Sequence, residues 1–311
     1  MTSSLVLPYG PFTSLVLPDG PFTWQMARQS GWSRHQLDQL LADGTLRRLL
    51  RNVYDLADAP DTIESRAAAL TLVATPFGVF CDRAAAWLHG IDAYEFRELE
   101  ILPELDCVVL RGRHRIERPG CRGGERDLAP QDICIVNGLR VTTPLRTALD
   151  LACLLPRAAA LAVLDAFLRI HKLTRATYLR ELPRYRGRRG VVQLRSLIPL
   201  ATHLAESPAE SRSRLAVIDA GIPAPRPQVW VYDHGVALFR LDLAWRKSRV
   251  AVEYDGEEWH DLTEEQREAT RLRRRWLRDH GWTVIVLTKE SFTPVALDEW
   301  LGEVREALRL R

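Results

Sequence analysis

The chain has 311 residues, 46% of them hydrophobic and 27% charged, a balance that excludes disorder throughout and a fibrous repeat. No run of about 18 uncharged apolar residues occurs, so no membrane span is read. The stretch Leu15–Leu17 is too short for a signal-peptide core, and a cytoplasmic protein is expected. The 43 basic and 40 acidic residues leave a net charge of +3, which neither requires nor excludes nucleic acid. All but three of the basic residues (Lys172, Lys247, Lys289) are arginines. Arginine forks suit phosphate and base edges, although a GC-rich coding bias produces the same excess. The five cysteines are odd in number and form no CxxC, so neither a disulfide framework nor a zinc knuckle is supported.

The fold class expected is α/β, an α+β multidomain chain. Residues 1–21 form a leader that carries most of a ten-residue duplication, Ser4–Thr13 and Ser14–Thr23, differing only at Tyr9 and Asp19. Its Pro-x-Gly-Pro bends predict turns. Residues 22–60 read as a winged helix-turn-helix. Thr23 caps a short helix through Ser30, and Gly31 breaks it. Ser33 with Gln36 is a capping-box signature for the helix Arg34–Ala42, whose Leu37, Leu40 and Leu41 have core spacing. A hairpin follows over Leu46–Leu56. In that geometry the second helix enters the major groove. Arg34 and Gln36 are then placed to meet base edges, and Arg47, Arg48 and Arg51 to meet phosphates from the wing.

Residues 61–156 read as a middle α/β unit. Asp61 caps a helix reaching about Ala74, and a second helix covers Asp82–His89. Strands are expected at Glu98–Leu102, Asp106–Leu110 and Ile133–Val141, followed by a helix from Thr143-Pro144. The basic loop Arg111–Arg122 lies between them. Residues 157–200 read as a helical linker broken by the basic stretch Arg184–Arg189, where Tyr185 stands among arginines.

Residues 201–311 carry the chemistry, as a mixed sheet flanked by helices. The expected order is a helix at Pro208–Ala220, strands at Gln228–Tyr232, Val236–Ala244 and Val250–Asp255, a charged helix at Glu264–Asp279, and a strand at Trp282–Thr288. If Trp245 pairs with Val250, Asp242 faces Glu253 across the hairpin and Asp255 follows on the same side. Leu241, Leu243, Val250, Val252 and Tyr254 then share the other face. Opposed like charges are destabilising and are usually offset by a cation or a shifted pKa. An all-oxygen set suits Mg²⁺ or Mn²⁺, with Asp242 and Glu253 as metal ligands, Glu210 as a further acid and His260 as general acid or base. An ordinary ion-pair reading stands beside this one. In the same register Arg240 faces Asp255, and Arg246 and Arg249 could neutralise Asp242 and Glu253. The long helix bears Arg267, Arg271, Arg273, Arg274, Arg275 and Arg278; Arg271 and Arg274 are candidates for phosphate contact, and a solvated amphipathic helix is the alternative.

The stretches Glu206–Arg212, Ala220–Pro223, Arg240–Trp245, Arg249–Gly256, Trp259-His260 and Gly281-Trp282 resemble a bacterial family related to very-short-patch repair endonucleases, of the PD-(D/E)XK restriction-endonuclease superfamily. The resemblance implies that Asp242 is the central metal-binding aspartate, Glu253 the acid of the second motif and Glu210 the acid of the first helix. It also implies a lysine where this chain has Asp255, although the repair endonucleases lack that lysine too and rely on a histidine, the part that would fall to His260 here, and it implies an aspartate where Thr270 stands. The stretches Gly31–Leu37, Asn52–Leu56, Ala84–Gly90 and Gly138–Asp150 resemble AbiEi-type antitoxin and regulator proteins over about residues 20–155, with Asn52 at a wing position that commonly holds glycine.

Two functions follow as expectations. One is a DNA-binding, divalent-metal-dependent endonuclease hydrolysing phosphodiesters through Asp242, Glu253, Asp255, His260 and Glu210. The other is an antitoxin-like transcriptional regulator with an inactive nuclease fold. DNA is the expected partner in both, and a toxin in the second.

Overall fold

The computed structural model describes residues 6–8, 14–75, 77–93, 104–112, 121–255 and 263–309. Over these residues the protein is α+β, with eleven α-helices and several sheets. The chain divides into two compact units, Met1–Leu151 and Ala152–Arg311.

In the first unit, β1 (Val6–Pro8) and β2 (Ser14–Val16) pair antiparallel, so a short strand from each repeat copy meets the other. β3 (Phe22–Thr23), α1 (Trp24–Gln29), α2 (Arg34–Ala42), β4 (Leu46–Leu50) and β5 (Val53–Leu56) follow. Local chemistry sets each boundary. The Thr23 hydroxyl accepts from the Met26 N–H at 3.3 Å. At α2 the Ser33 hydroxyl accepts from the Gln36 N–H while the Gln36 side chain accepts from the Ser33 N–H at 2.9 Å, which satisfies two donors that a helix start leaves orphaned. The wing turns at Asn52, whose φ of +64° lies in the left-handed region that asparagine tolerates better than most residues. The strands order β3-β5-β4 over a core of Phe22, Ala27, Trp32, Leu37, Leu40, Leu46 and Tyr54.

Beyond it lie α3 (Ile63–Thr71), β6 (Val79–Phe80), α4 (Asp82–Leu88), β7 (Leu105–Leu110), β8 (Cys121–Arg122), β9 (Glu125–Arg126), β10 (Ile133–Val136), β11 (Leu139–Thr142) and α5 (Pro144–Leu154), which crosses the boundary between units. Thr62, not Asp61, caps α3, because Asp61 forks onto Arg66 instead. The single strand expected over Ile133–Val141 is a hairpin: Asn137 and Gly138 both take positive φ, 45° and 82°, as a two-residue turn of this hand requires. The sheet orders β10-β11-β6-β7-β8, with β9 also on β7. The strand expected at Glu98–Leu102 and most of the basic loop 111–122 lie outside the described residues.

The second unit opens with α6 (Arg157–Ile170), α7 (Arg175–Glu181) and α8 (Val191–Leu197). Residues 157–200, expected as a linker, are tied into this unit. Asp165 of α6 is buried and accepts from Ser211 Oγ and Arg214, both at 2.7 Å. Tyr185 is buried too, with Arg188 over its ring, so it is no exposed stacking residue. α9 (Pro208–Asp219), which bears Ser211 and Arg214, precedes β12 (Arg226–Asp233), β13 (Val236–Trp245), β14 (Val250–Tyr254), α10 (Glu264–Asp279), β15 (Thr283–Leu287) and α11 (Pro294–Arg309). The four strands form one mixed sheet in the order β12-β13-β14-β15. β14 and β15 run parallel, as a helical crossover permits. Val217 of α9 and Trp300, Leu301 and Val304 of α11 pack on one face with Leu243 and Val252. Leu277 of α10 and Trp282 pack on the other with Ala244 and Ala251. The sheet is thus buried on both sides, which is why its central strands read as near-continuous apolar runs.

Candidate functional site

The acids of the second unit sit where β13, β14 and α9 meet. The expected register holds at Trp245↔Val250, Ala244↔Ala251 and Leu243↔Val252 and stops there. Gln228 takes φ +54° at the place opposite Asp242 on β12, where the pairing is interrupted. The regular alternation breaks there: Leu241 joins Ala244 and Ala251 on the α10 face instead of sharing a face with Leu243. Asp242 does not simply oppose Glu253. Its carboxylate accepts the backbone N–H of Tyr254 at 3.0 Å, substituting for a ladder hydrogen bond.

Glu253 is buried, 4% exposed, and its carboxylate is ion-paired with the Arg273 guanidinium of α10. Asp255 is ion-paired with Arg274 of the same helix. The cross-strand pair expected between Arg240 and Asp255 is not formed: Arg240 reaches back to Glu206 at 2.6 Å, and α10 supplies the counter-charge. Arg249 donates to the His280 carbonyl at 2.9 Å and does not neutralise Glu253. Glu210 lies in the first turn of α9, where Ser207 caps the helix. Its carboxylate accepts from the Glu206 N–H at 3.0 Å and the Gln228 side-chain amide at 2.8 Å. His260 lies outside the described residues.

Burial raises the pKa of Asp242 above the ordinary carboxylate range; the Tyr254 hydrogen bond opposes this and the Glu210 charge adds to it. Burial likewise raises Glu253, with Arg273 opposing and the Asp242 charge adding. Divalent-cation chemistry of the Mg²⁺ kind needs free carboxylate oxygens converging at about 2.0–2.1 Å from one point. Here Glu253 and Asp255 are already held by guanidinia, and among the described residues no group of three or more His, Cys, Asp or Glu is placed to hold a metal. In this arrangement the residues do not fit Mg²⁺ or Mn²⁺; a pair of arginines supplies the compensating charge.

The residues expected to meet DNA are partly committed elsewhere. The Gln36 side chain is spent on its capping box. Arg47 donates to the Ala59 carbonyl at 2.7 Å. Arg34 is exposed and pairs with Asp38 at 3.2 Å. Arg48 is exposed, with its guanidinium over the Tyr54 ring, and Arg51 is exposed at the tip of the wing. Arg271 pairs along its own helix with Glu264 and Glu268, while Arg274 is taken by Asp255.

A second charged cluster was not foreseen. In the first unit Arg126 forks onto Asp82 at 2.7 and 2.8 Å and reaches Asp150 at 3.2 Å. Arg146, 4% exposed, joins Asp132 at 2.9 Å and Asp150 at 2.7 Å. Asp82 opens α4 with φ +48°. Such a buried left-handed residue costs about 1–3 kcal/mol unless its surroundings fix it, and the bidentate Arg126 does so.

The family model of the AbiEi antitoxin C-terminal domain matches residues 78–200, from β6 to the end of the helices after α6. This region holds the Asp82–Arg126–Asp150–Arg146 cluster and extends past the limit of about residue 155 that the sequence motifs suggested. Among curated proteins the chain is similar to "Uncharacterized protein Rv2248" of Mycobacterium tuberculosis (strain ATCC 25618 / H37Rv) and to "Uncharacterized protein MT2308" of strain CDC 1551 / Oshkosh. Each is 36% identical over 262 residues, covering 83% of this chain and 91% of the relative. The chain belongs to the family of these mycobacterial proteins and contains an AbiEi antitoxin-family domain. No helix among the described residues is long and apolar enough to cross a membrane, and none of the five cysteines is in a disulfide.

Proposed function

We propose that the protein is a DNA-binding regulator of the AbiEi antitoxin kind. Residues 22–60 act as a winged helix on duplex DNA, and residues 201–311 are a restriction-endonuclease-like fold in which arginines hold Glu253 and Asp255. The observation that carries this reading is the AbiEi antitoxin domain at 78–200, which lies downstream of a helix pair and hairpin that leave Arg34, Arg48 and Arg51 exposed. Arg34 stands at the start of α2, the end that meets base edges when such a helix enters the major groove. Arg48 and Arg51 stand on the wing, where they reach phosphate. Such a regulator acts in the cytoplasm, and the antitoxin reading adds a toxin protein as partner.

The test is a gel shift of the full chain on duplex DNA taken from upstream of its own reading frame, over a series of salt concentrations. Binding is expected to weaken steeply with salt, and Arg48→Gln and Arg51→Gln are each expected to reduce the salt slope by about one. Binding that is absent at low salt, or indifferent to both substitutions, rejects the reading.

A second reading, a divalent-metal-dependent DNA endonuclease, is favoured by the placing of two carboxylates, Asp242 on β13 and Glu253 on β14, on neighbouring strands of one sheet. It requires Arg273 to leave Glu253 so that a cation can enter. Plasmid nicking in Mg²⁺ or Mn²⁺, compared between wild type and Asp242→Ala, decides it; equal activity in both assigns any cleavage to another source.

A further inference from the structure

The 27 residues from Arg169 to Arg195 carry nine basic side chains and one acidic one, Glu181. The rest of the chain holds 34 basic and 39 acidic residues and is net negative. A coding bias that writes arginine for lysine does not remove acids, so this segregation of sign has another cause. Its densest part is residues 180–189, where α7 ends and the chain turns toward α8. Arg180, Arg184, Arg186, Arg188 and Arg189 stand there against Glu181 alone. Four of the five are exposed, and Arg188 is half-buried over the Tyr185 ring. Glu181 is taken by Arg184 at 2.7 Å. Among the described residues Arg180, Arg186 and Arg189 have no ion-pair partner.

The backbone that carries these arginines is fixed. Tyr185 is 2% exposed and anchors the stretch in the unit. The Arg186 N–H donates to the Pro183 carbonyl at 3.2 Å, and the Arg188 N–H to the Tyr185 carbonyl at 3.0 Å. Gly190 takes φ +82° and lies so close to Cys153 that a Cβ there would be 2.1 Å from its carbonyl oxygen. A ligand that binds this turn therefore has little backbone to order. Like charges gathered this closely repel. On α10 acids relieve the repulsion, as Glu264 and Glu268 do for Arg271. Residues 180–189 have almost no such relief of their own, and an outside anion supplies it. The chemistry selects which anion. Guanidinium forks match phosphate and carboxylate alike. A protein interface also needs an apolar core, but residues 183–189 expose arginines, Pro183 and Gly187 and no large apolar side chain. An unpaired strand needs an aromatic face to stack on, and Tyr185 is buried. A duplex backbone needs only repeated cations.

We propose that residues 180–189 form a second, sequence-independent contact for duplex DNA, in which Arg180, Arg186 and Arg189 each neutralise a backbone phosphate. The contact is distinct from the winged helix assigned above to residues 22–60, and it uses neither the acids of the second unit's sheet nor a metal.

The experiment is fluorescence anisotropy of a labelled mixed-sequence DNA duplex, titrated over a salt series with the full chain carrying Arg48→Gln and Arg51→Gln, which removes wing charge and leaves residues 180–189 intact. Residual, salt-dependent binding is expected. Adding Arg180→Gln, Arg186→Gln and Arg189→Gln is expected to lower the salt slope by about 2.7, at about 0.9 for each duplex phosphate contact. Lysine at the same three positions keeps the charge and is expected to keep the slope. A control carrying Arg226→Gln, Arg246→Gln and Arg278→Gln, three exposed arginines of the same unit, has the same net charge and is expected to leave the slope nearly unchanged. All six side chains are exposed, and unchanged circular dichroism checks that the variants fold. No residual binding at low salt, or equal loss from the two glutamine triples, overturns the proposal. An unchanged slope after the changes at 180, 186 and 189 also overturns it and leaves the patch to an acidic protein. The winged helix is tested separately, by the gel shift on wild type and on the single wing variants, so either contact can fail without the other.

Discussion

The two acid–arginine clusters use the same chemistry for different ends. In the first unit two guanidinia serve three carboxylates, Asp82, Asp132 and Asp150, and Asp150 bonds to both Arg126 and Arg146. Arg146 is as buried as its partners. In the second unit Glu253 and Asp255 have one guanidinium each, from Arg273 and Arg274, and both arginines are partly exposed on a surface helix. A shared, buried arginine cannot leave without stranding two charges. An arginine on an amphipathic helix can exchange its partner for water. The first arrangement fixes a fold; the second leaves a charge that a competing cation or a phosphate could displace.

Removing one arginine from each cluster tests the contrast directly. Arg146→Ala should be the most damaging change, because Asp132 and Asp150 lose a buried counter-charge; a cost of about 3–5 kcal/mol is expected, read as a shift in the urea midpoint. Arg273→Ala strands only Glu253 and leaves a solvent path, so about 1–3 kcal/mol is expected. If the two costs are equal, the contrast fails. Arg274→Ala should cost less than about 1 kcal/mol, in line with part-exposed pairs.

Asp242 sharpens the comparison through pH. The folded state holds protons on Asp242 and Glu253 more tightly than the unfolded chain does, since burial raises both. Their effect is therefore an unfolding tendency that grows as pH rises from the ordinary carboxylate range through the raised values. Asp242→Asn keeps an acceptor for the Tyr254 N–H and removes the charge. It should stabilise by up to about 1 kcal/mol above that window and not at all below it, as urea melts at several pH values would show. A chelator such as EDTA should leave the unfolding of the second unit unchanged, because arginines already hold Glu253 and Asp255.

Local signals were legible and crossings were not. The Thr23 cap, the Ser33–Gln36 box and the limits of α2 and α10 follow from neighbours in sequence. So did the pairing of Trp245 with Val250, since a short turn fixes register. The two-residue strands β6, β8 and β9 carry no periodicity to read. α11 does carry one, with Leu297, Trp300, Leu301 and Val304 at helical spacing behind Pro294. Asp242 and Glu253 were found because a hairpin joins them. Arg273 was visible as a helix residue, but its partner depends on how α10 crosses from β14 to β15. The cluster of Asp82, Arg126, Asp132, Arg146 and Asp150 was unreadable for the same reason: its members come from separate elements brought together only by the sheet. The interruption at Gln228 has no sequence signal, since glutamine is not a residue that favours positive φ.

The crossover also sets an order of events on the ribosome. Glu253 leaves the exit tunnel 20 residues ahead of Arg273, which at about 5–20 residues per second is roughly one to four seconds. During that interval the nascent β13–β14 hairpin carries its acids without their guanidinium partners, and β15, which completes the sheet, has still to emerge. The last domain is thus timed to close late, after the helix that brings its own counter-ions has been translated.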